Sequence, residues 1–188
     1  MKKLSLICVA AILAGCISAS KSPVSDNWMI SVNGDQVAKM SSKYDIARFS
    51  QFSIRSPFDS SKMVVLRKDG TVALDAYNQF VAPPTSLLKG PTVDALRICG
   101  LFKQVLDASS SAKAQISIEV NVNNLALDCV EDTPVAVANV TVSLVDYNSR
   151  LIMAMNTGAG KAKAEDGCFA AAFSRAYVDA LNAALKGL

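Results

Sequence analysis

Alternating apolar and polar residues mark the most regular part of the chain, the run "AQISIEVNVNN" at residues 114–124. Its apolar residues from Ile116 to Val122 share one face and polar side chains share the other, which is typical of a strand with one buried and one hydrated face. Turn residues at "EDTP" and "NS" connect this run to "VAVANVTVSLVDY" and then to "RLIMAMNTGAGKA". The pattern predicts a three-stranded antiparallel meander.

Shorter runs of β-branched and aromatic residues precede the meander, and each is long enough for one strand. They are "YDIARFSQFSIRS" at 44–56, "KMVVLRK" at 62–68, "TVALDAYNQF" at 71–80 and "LFKQVL" at 101–106. Asp69-Gly70 stands between the second and third runs and predicts a hairpin.

Helical spacing of apolar residues appears twice. The first segment is "PPTSLLKGPTVDALRICG" at 83–100, in which Pro91, preceded by Gly90, is expected to break the helix. The second is "GCFAAAFSRAYVDALNAALKGL" at 167–188, whose alanine-rich apolar stripe would cover the dry face of the meander. Together the elements predict one α/β (α+β) domain over residues 44–188, with an antiparallel or mixed sheet and two helices packed on one face.

The first sixteen residues, "MKKLSLICVAAILAGC", combine two lysines with a short apolar run. The run is shorter than the 20 or so residues that cross a bilayer, and it fits a removable secretory signal at residues 1–15. Its ending "LAGC" resembles the bacterial lipobox, which implies cleavage between Gly15 and Cys16 and lipid attachment at Cys16. A plain signal peptide with a chance cysteine at the cut is the alternative.

Residues 16–43 follow the lipobox and are rich in Ser, Lys, Asp and Asn. This composition predicts a lipidated N-terminus and a flexible tether. One short strand is expected within the tether, at the apolar run "WMISV". An aspartate after the lipobox cysteine favours retention at the inner membrane. Because Ile17 stands there, we expect a lipid anchor on the periplasmic face of the outer membrane.

Histidine is absent from the whole chain, and this excludes more functions than the charge does. Without imidazole the chain has no Ser-His-Asp or Cys-His arrangement and no His-bearing zinc site. Loss of the signal removes two of the 19 Lys and Arg residues, which stand against 16 Asp and Glu, so no basic face for nucleic acid is indicated. We expect no catalytic residue, no metal site and no cofactor.

Three cysteines remain after the signal and Cys16, and two of them are candidates for a disulfide. A strand register with Val135 opposite Ala162 would bring Cys129 and Cys168 to one end of the meander. Two buried free thiols explain the same residues equally well. Cys99 lies on the apolar stripe of the first helix, where packing is the expected role.

Several other patterns suggest chemistry without completing it. "GAGKAK" at 158–163 lacks the first glycine and the Ser or Thr of a phosphate-binding loop, so a strand end is expected. Glu131, Asp132, Glu165 and Asp166 could meet as an acidic cluster, although turns and helix starts also recruit carboxylates. Met153 and Met155 are expected in the core. Two interpretations remain open for a group of four residues: they form an apolar patch for a partner or lipid, or they belong to the core. The four are Tyr77, Phe80, Leu101 and Phe102.

In this order of elements the chain resembles the ABC-type transport auxiliary lipoprotein family, the paraquat-inducible-protein-C-like group. The resemblance rests on "FDSSKMVVLRKDGTVALDAYNQFVAPPTSLL", on "ICGLFKQVL" and on the meander with its final helix. It covers most of residues 44–185. Two features depart from the family pattern: Gln79-Phe80 stands where members usually show Arg-Trp, and Gly90-Pro91 interrupts a helix that is normally continuous.

The resemblance implies a compact α/β domain similar to the N-terminal domain of the Tol-system propeller protein. It also implies a non-catalytic accessory role beside a mammalian-cell-entry (MCE) protein and its ABC transporter, which move lipid between membranes. Acyl chains on Cys16 would hold the domain at the outer membrane, where it docks the transport assembly. Two further roles remain open: an envelope-assembly lipoprotein that seats or activates another outer-membrane machine, and a lipid-carrying module.

Overall fold

A computed structural model describes residues 26–188 of the chain. The predicted signal peptide and the lipid-attachment residue Cys16 lie outside the described residues. The regular elements, with two short 3-10 turns at Gly34–Gln36 and Glu165–Gly167, are β1 (Asp26–Trp28), β2 (Tyr44–Ile54), β3 (Lys62–Arg67), β4 (Val72–Phe80), α1 (Pro84–Ile98), β5 (Phe102–Leu106), β6 (Ile116–Cys129), β7 (Val135–Asp146), β8 (Ile152–Lys163) and α2 (Phe169–Lys186).

All eight strands join one mixed sheet, and β6 is its central strand. Along one edge β6 pairs with β7 in antiparallel register, and β7 pairs in turn with β8. Along its other edge β6 pairs with β2 and, further on, with β3, both in parallel. Beyond these strands, β5 lies next to β2, while β4 and then β1 lie next to β3. The mixed sheet and the two helices confirm the predicted fold class.

A β-bulge in β6 keeps its apolar side chains on one face of the sheet. The register with β7 shifts between Val122 and Asn124, so the buried positions change from even to odd numbers. Leu125 and Leu127 therefore join Ile116 and the apolar residues that follow it in the main core, beneath the helices. We call this the helix face and the opposite side the open face.

Helix α1 runs through Pro91 without a break, so the predicted interruption at Gly90-Pro91 is wrong. Gly90 has no Cβ to clash with the following proline ring, which removes part of the usual penalty at this position. Thr92 directly follows the proline, and its hydroxyl donates a hydrogen bond to the backbone carbonyl of Leu88 at 2.6 Å.

A buried hydroxyl pair connects the two helices. The oxygens of Thr92 and Tyr177 lie 2.6 Å apart, and because the Thr92 proton goes to Leu88, the Tyr177 phenol is the donor. Burial raises the pKa of Tyr177 far above its usual value, so the phenol stays protonated. The contact fixes α1 beside α2 on the helix face.

Glycines in β8 allow α2 to approach the sheet closely. A Cβ on Gly160 would lie 2.0 Å from the carbonyl oxygen of Ala176, and one on Gly158 would lie 2.1 Å from that of Ala180. Both alanines are fully buried. The "GAGKAK" run is thus part of a strand, as expected, and its glycines make room for the helix backbone.

Residues 26–43, which we call the N-terminal strap, pack against the helices, so the predicted tether is wrong for this part of the chain. The ring of Trp28 contacts that of Phe169 edge to face at 5.5 Å, and Ile30 and Val37 are buried. Backbone N–H groups of the strap bond to side chains of α2: Ser31 to the Ser174 hydroxyl at 3.0 Å and Ala38 to the Asn182 amide oxygen at 2.9 Å. The strap thus crosses α2 and ends beside β2.

Replacing Gly160 with alanine tests the close approach of α2. The new methyl group would overlap the backbone of α2, so we expect Gly160→Ala to lower the free energy of unfolding in urea by about 2 kcal/mol or more. Ala159→Val is the matched control, because residue 159 is exposed on the same strand; its effect should stay within about 0.5 kcal/mol. Equal effects of the two substitutions would show that the helix does not lie this close.

Candidate interaction surfaces

Three of the four residues proposed for an apolar patch are buried. Phe80, Leu101 and Phe102 are at most 3% exposed, and Phe80 packs edge to face on Phe173 of α2 at 5.2 Å. The patch prediction is wrong for these residues, because β4 ends by pointing Phe80 under α2 and the chain enters β5 within the core. Tyr77 is the exception, with 53% of its surface exposed.

The predicted bridge between Cys129 and Cys168 is not formed, and Cys99 is also a free thiol. Cys129 packs at the end of the central strand β6, in register with Arg67 of β3, whereas Cys168 is exposed just before α2. Strand β7 separates β6 from β8 and so from the segment that leads to Cys168.

The register that motivated the bridge is wrong by one residue. Val135 lies opposite Lys163, not opposite Ala162, since the pairing of β7 with β8 shifts between Leu144 and Val145.

The acidic residues form two separate pairs with a lysine between them. Glu131 and Asp132 line one shallow groove, Glu165 and Asp166 line another, and Lys163 borders both. Within residues 26–188, no group of three or more potential ligands could hold a metal ion. The lysine between the pairs makes a shared cation site unfavourable.

A groove with a volume of about 740 Å³ lies beside α1. Phe49 contributes to its wall, and Asp94, Arg97 and Asp107 stand at its rim. Arg97 bonds both carboxylates, at 3.1 Å and 2.8 Å, so these charges are already paired.

Exposed apolar side chains are more informative than the grooves. Apart from Ile98 and Val130, the large apolar residues exposed in the described part of the chain fall at two edges of the sheet. The first group, which we call the β4 stripe, follows β4 and β1 and consists of Met29, Val72, Leu74, Tyr77 and Val81, each 48–61% exposed. The second group, the β8 apolar edge, consists of Leu151, Ile152, Met153 and Met155, each 53–68% exposed.

The two groups lie at opposite ends of the strand path that runs from β1 through β4, β3, β6 and β7 to β8. Between them the open face carries both a small buried apolar cluster, formed by Val64, Ala126 and Val137, and a polar band on β6, β7 and β8. The hydroxyls of Thr141 and Thr157 lie 2.7 Å apart, and the amide of Asn123 donates to Thr141 at 2.7 Å. Concentrations of exposed apolar residues such as these two groups mark interaction sites.

Neither α1 nor α2 is long and apolar enough to cross a bilayer, and no other helix in residues 26–188 is.

The expectation that Met153 and Met155 fill the core is wrong. On β8 the buried positions are Gly158, Gly160 and Ala162, so residues of odd number face away from α2. Met155 shares its side of the strand with Lys161, and this shared parity was the signal in the sequence that placed it on the open face.

The fold is shared with solved proteins of low sequence identity. A DUF330-family protein from Xanthomonas campestris matches with a TM-score of 0.60 and 16% identity, over 86% of this chain and 91% of its own. A crystal structure of an uncharacterized protein matches with a TM-score of 0.54 and 10% identity, over 80% of this chain and 92% of its own. Searches against family models and curated proteins find no match. These likenesses establish a common fold.

Alkylation of the native protein without reductant tests the thiol arrangement. Alkylation proceeds through the thiolate. Burial raises the pKa of Cys99, and burial with nearby Asp128 raises that of Cys129, so both should react at least about tenfold more slowly than exposed Cys168. Unfolding should release all three to the reagent. Mass spectrometry that finds Cys129 and Cys168 protected after unfolding would contradict this arrangement.

Proposed function

We propose that this chain is a lipid-anchored accessory protein of the bacterial envelope, held at the periplasmic face of the outer membrane by acyl chains on Cys16. In this proposal it acts without catalysis, and it docks an MCE-type protein and its ABC transporter at the membrane. The lipobox pattern and the resemblance to the transport auxiliary family support the anchor and the partners. The β8 apolar edge is the observation that carries the docking role.

The β8 apolar edge has two properties of a protein-binding surface. Its four large side chains are exposed together. Within residues 26–188, β8 pairs with β7 alone, so one row of its backbone groups faces outward. An added strand can bond such a row while its side chains cover the apolar residues. Lys161 and Lys163, further along β8, limit the apolar part to the beginning of the strand.

A non-catalytic role fits the chemistry of the domain. The chain has no histidine. Tyr177, a buried titratable group, bonds Thr92 between the helices, where no substrate reaches it. Anchoring would then supply the main functional gain, because confining a partner to one membrane surface raises its effective concentration without new contacts.

The interior of the domain argues against the lipid-carrier alternative. The apolar core beneath the helices is filled by packed side chains, and the glycines of β8 bring α2 into backbone contact. A carrier needs an apolar cavity of several hundred Å³, and the 740 Å³ groove beside α1 has an ion-paired polar rim.

Photo-crosslinking in cells tests the docking surface. A photoreactive residue at Leu151, which is exposed in the same apolar edge, should capture the MCE-type protein, and the double variant Met153→Glu with Met155→Glu should reduce that capture at least about tenfold. Placing two carboxylates in an apolar contact costs well over the 1.4 kcal/mol or so that a tenfold change represents. Lys161→Glu is the matched control, since it introduces the same charge further along β8 and should leave capture unchanged.

Two outcomes of this experiment would contradict the proposal. Capture that is insensitive to the glutamates would exclude the β8 apolar edge. Reproducible capture of a different outer-membrane machine, with the MCE-type protein absent, would favour the envelope-assembly alternative over transport.

A further inference from the structure

We infer that the β4 stripe lies against the membrane surface itself, so that the domain is oriented by its anchor as well as held by it. This inference rests on the proposed acylation of Cys16. The occupant of the stripe is the lipid headgroup and upper acyl region, and the β8 apolar edge lies at the other end of the strand path from it.

The position of the first strand supports this orientation. Chain from the anchor joins the described domain at Asp26, which pairs with Asn78 in β4, next to Tyr77 and so beside the middle of the stripe. Residues 17–25, nine in number, separate Cys16 from Asp26. Even a fully extended chain of this length spans only about 30 Å. An acylated Cys16 would therefore keep the stripe close to the bilayer.

The strand register places Val72 and Leu74 of the stripe on the open face. Leu74 pairs with Val64 and Val72 pairs with Leu66, and both partners belong to a small apolar cluster on the open face with Ala126. Val72 and Leu74 therefore project from the paired part of the hairpin, next to a packed apolar cluster, and not from a loop.

Met29 and Val81 extend the stripe. Each follows an aromatic residue, Trp28 or Phe80, that packs on α2 on the helix face. Met29 lies between Trp28 and buried Ile30 and is itself exposed, as expected for a side chain on the open face. Val81 is exposed directly after the end of β4. Gln79 interrupts the stripe there, and its amide bonds the Asn27 side chain at 3.0 Å.

The charges around the stripe are compatible with an anionic lipid surface. Lys62, Arg67 and Lys68 are exposed on the same hairpin. Of the two acidic residues there, Asp75 accepts the backbone N–H groups of Tyr77 and Asn78. Asp69 is bonded to Thr71 in the turn. Asp26 of β1 is also exposed beside the stripe, so three cations stand against three carboxylates, and the apolar side chains supply the main attraction to the membrane interface.

Tryptophan quenching by brominated lipids tests the inference. The chain contains one tryptophan, so Trp28→Phe gives a silent background. The acylated protein, purified from membranes, is placed in vesicles of phosphatidylethanolamine and phosphatidylglycerol that contain lipid brominated on its acyl chains. Leu74→Trp in this background should be quenched several-fold more than Ala159→Trp, which lies on β8 at the far edge of the sheet.

Each outcome has a defined meaning. Floating vesicles that carry the protein without greater quenching at position 74 would overturn the inference and leave the anchor intact. Protein that does not float with the vesicles would contradict the anchoring, and with it the inference. If Leu74→Trp does not fold, as judged by its circular dichroism, Val72→Trp on the same face replaces it and carries the same expectation.

Discussion

The close approach of α2 to β8 is the constraint on which the rest of the structure depends. Only glycine at 158 and 160 lets the backbone of the helix approach the strand to this distance. With α2 seated there, Phe173 reaches Phe80 at the end of β4, and Tyr177 reaches Thr92 in α1. The N-terminal strap in turn bonds to Ser174 and Asn182 of the same helix. One strand–helix contact thus positions both helices, the strap and β1.

These contacts also fix where the N-terminal strap enters the sheet. By holding the strap, α2 fixes β1 beside β4, and therefore fixes where the chain from Cys16 reaches the sheet. The β8 apolar edge lies at the other end of the strand path. In the inferred arrangement, the β4 stripe lies against the membrane, and the β8 apolar edge, at the other end of the strand path, binds a partner. A protein with this role acts through the place where it is held, and one well-packed core is sufficient to hold its two surfaces in position.

Local patterns predicted the elements that depend on local chemistry. Period-two alternation located β6 to β8, the Asp69-Gly70 turn located the hairpin, and the alanine stripe located α2 together with its task of covering the sheet. What failed depends on tertiary contact. The strap is polar enough to suggest a tether, and only its bonds to α2 order it. One bulge in β6 changes which residues are buried, and another between β7 and β8 shifts the register by one residue. Neither bulge has a signature in the residues alone.

The two apolar surfaces were missed for a related reason. An alternating strand shows which residues share a face, but not which face a helix will cover. Once Gly158 and Gly160 are placed against α2, alternation along β8 puts Met153 and Met155 on the open face. Leu74 is on the open face as well, because it pairs with Val64, which lies there.

The central claim is that this chain functions by being fixed to a membrane through the sulfur of Cys16. Intact-mass spectrometry of the mature protein, extracted from envelope membranes with detergent, tests that claim most directly. The account predicts a polypeptide that begins at Cys16 and carries the added mass of its acyl chains. A mature chain that begins at another residue, or one that begins at Cys16 without added lipid, would contradict it.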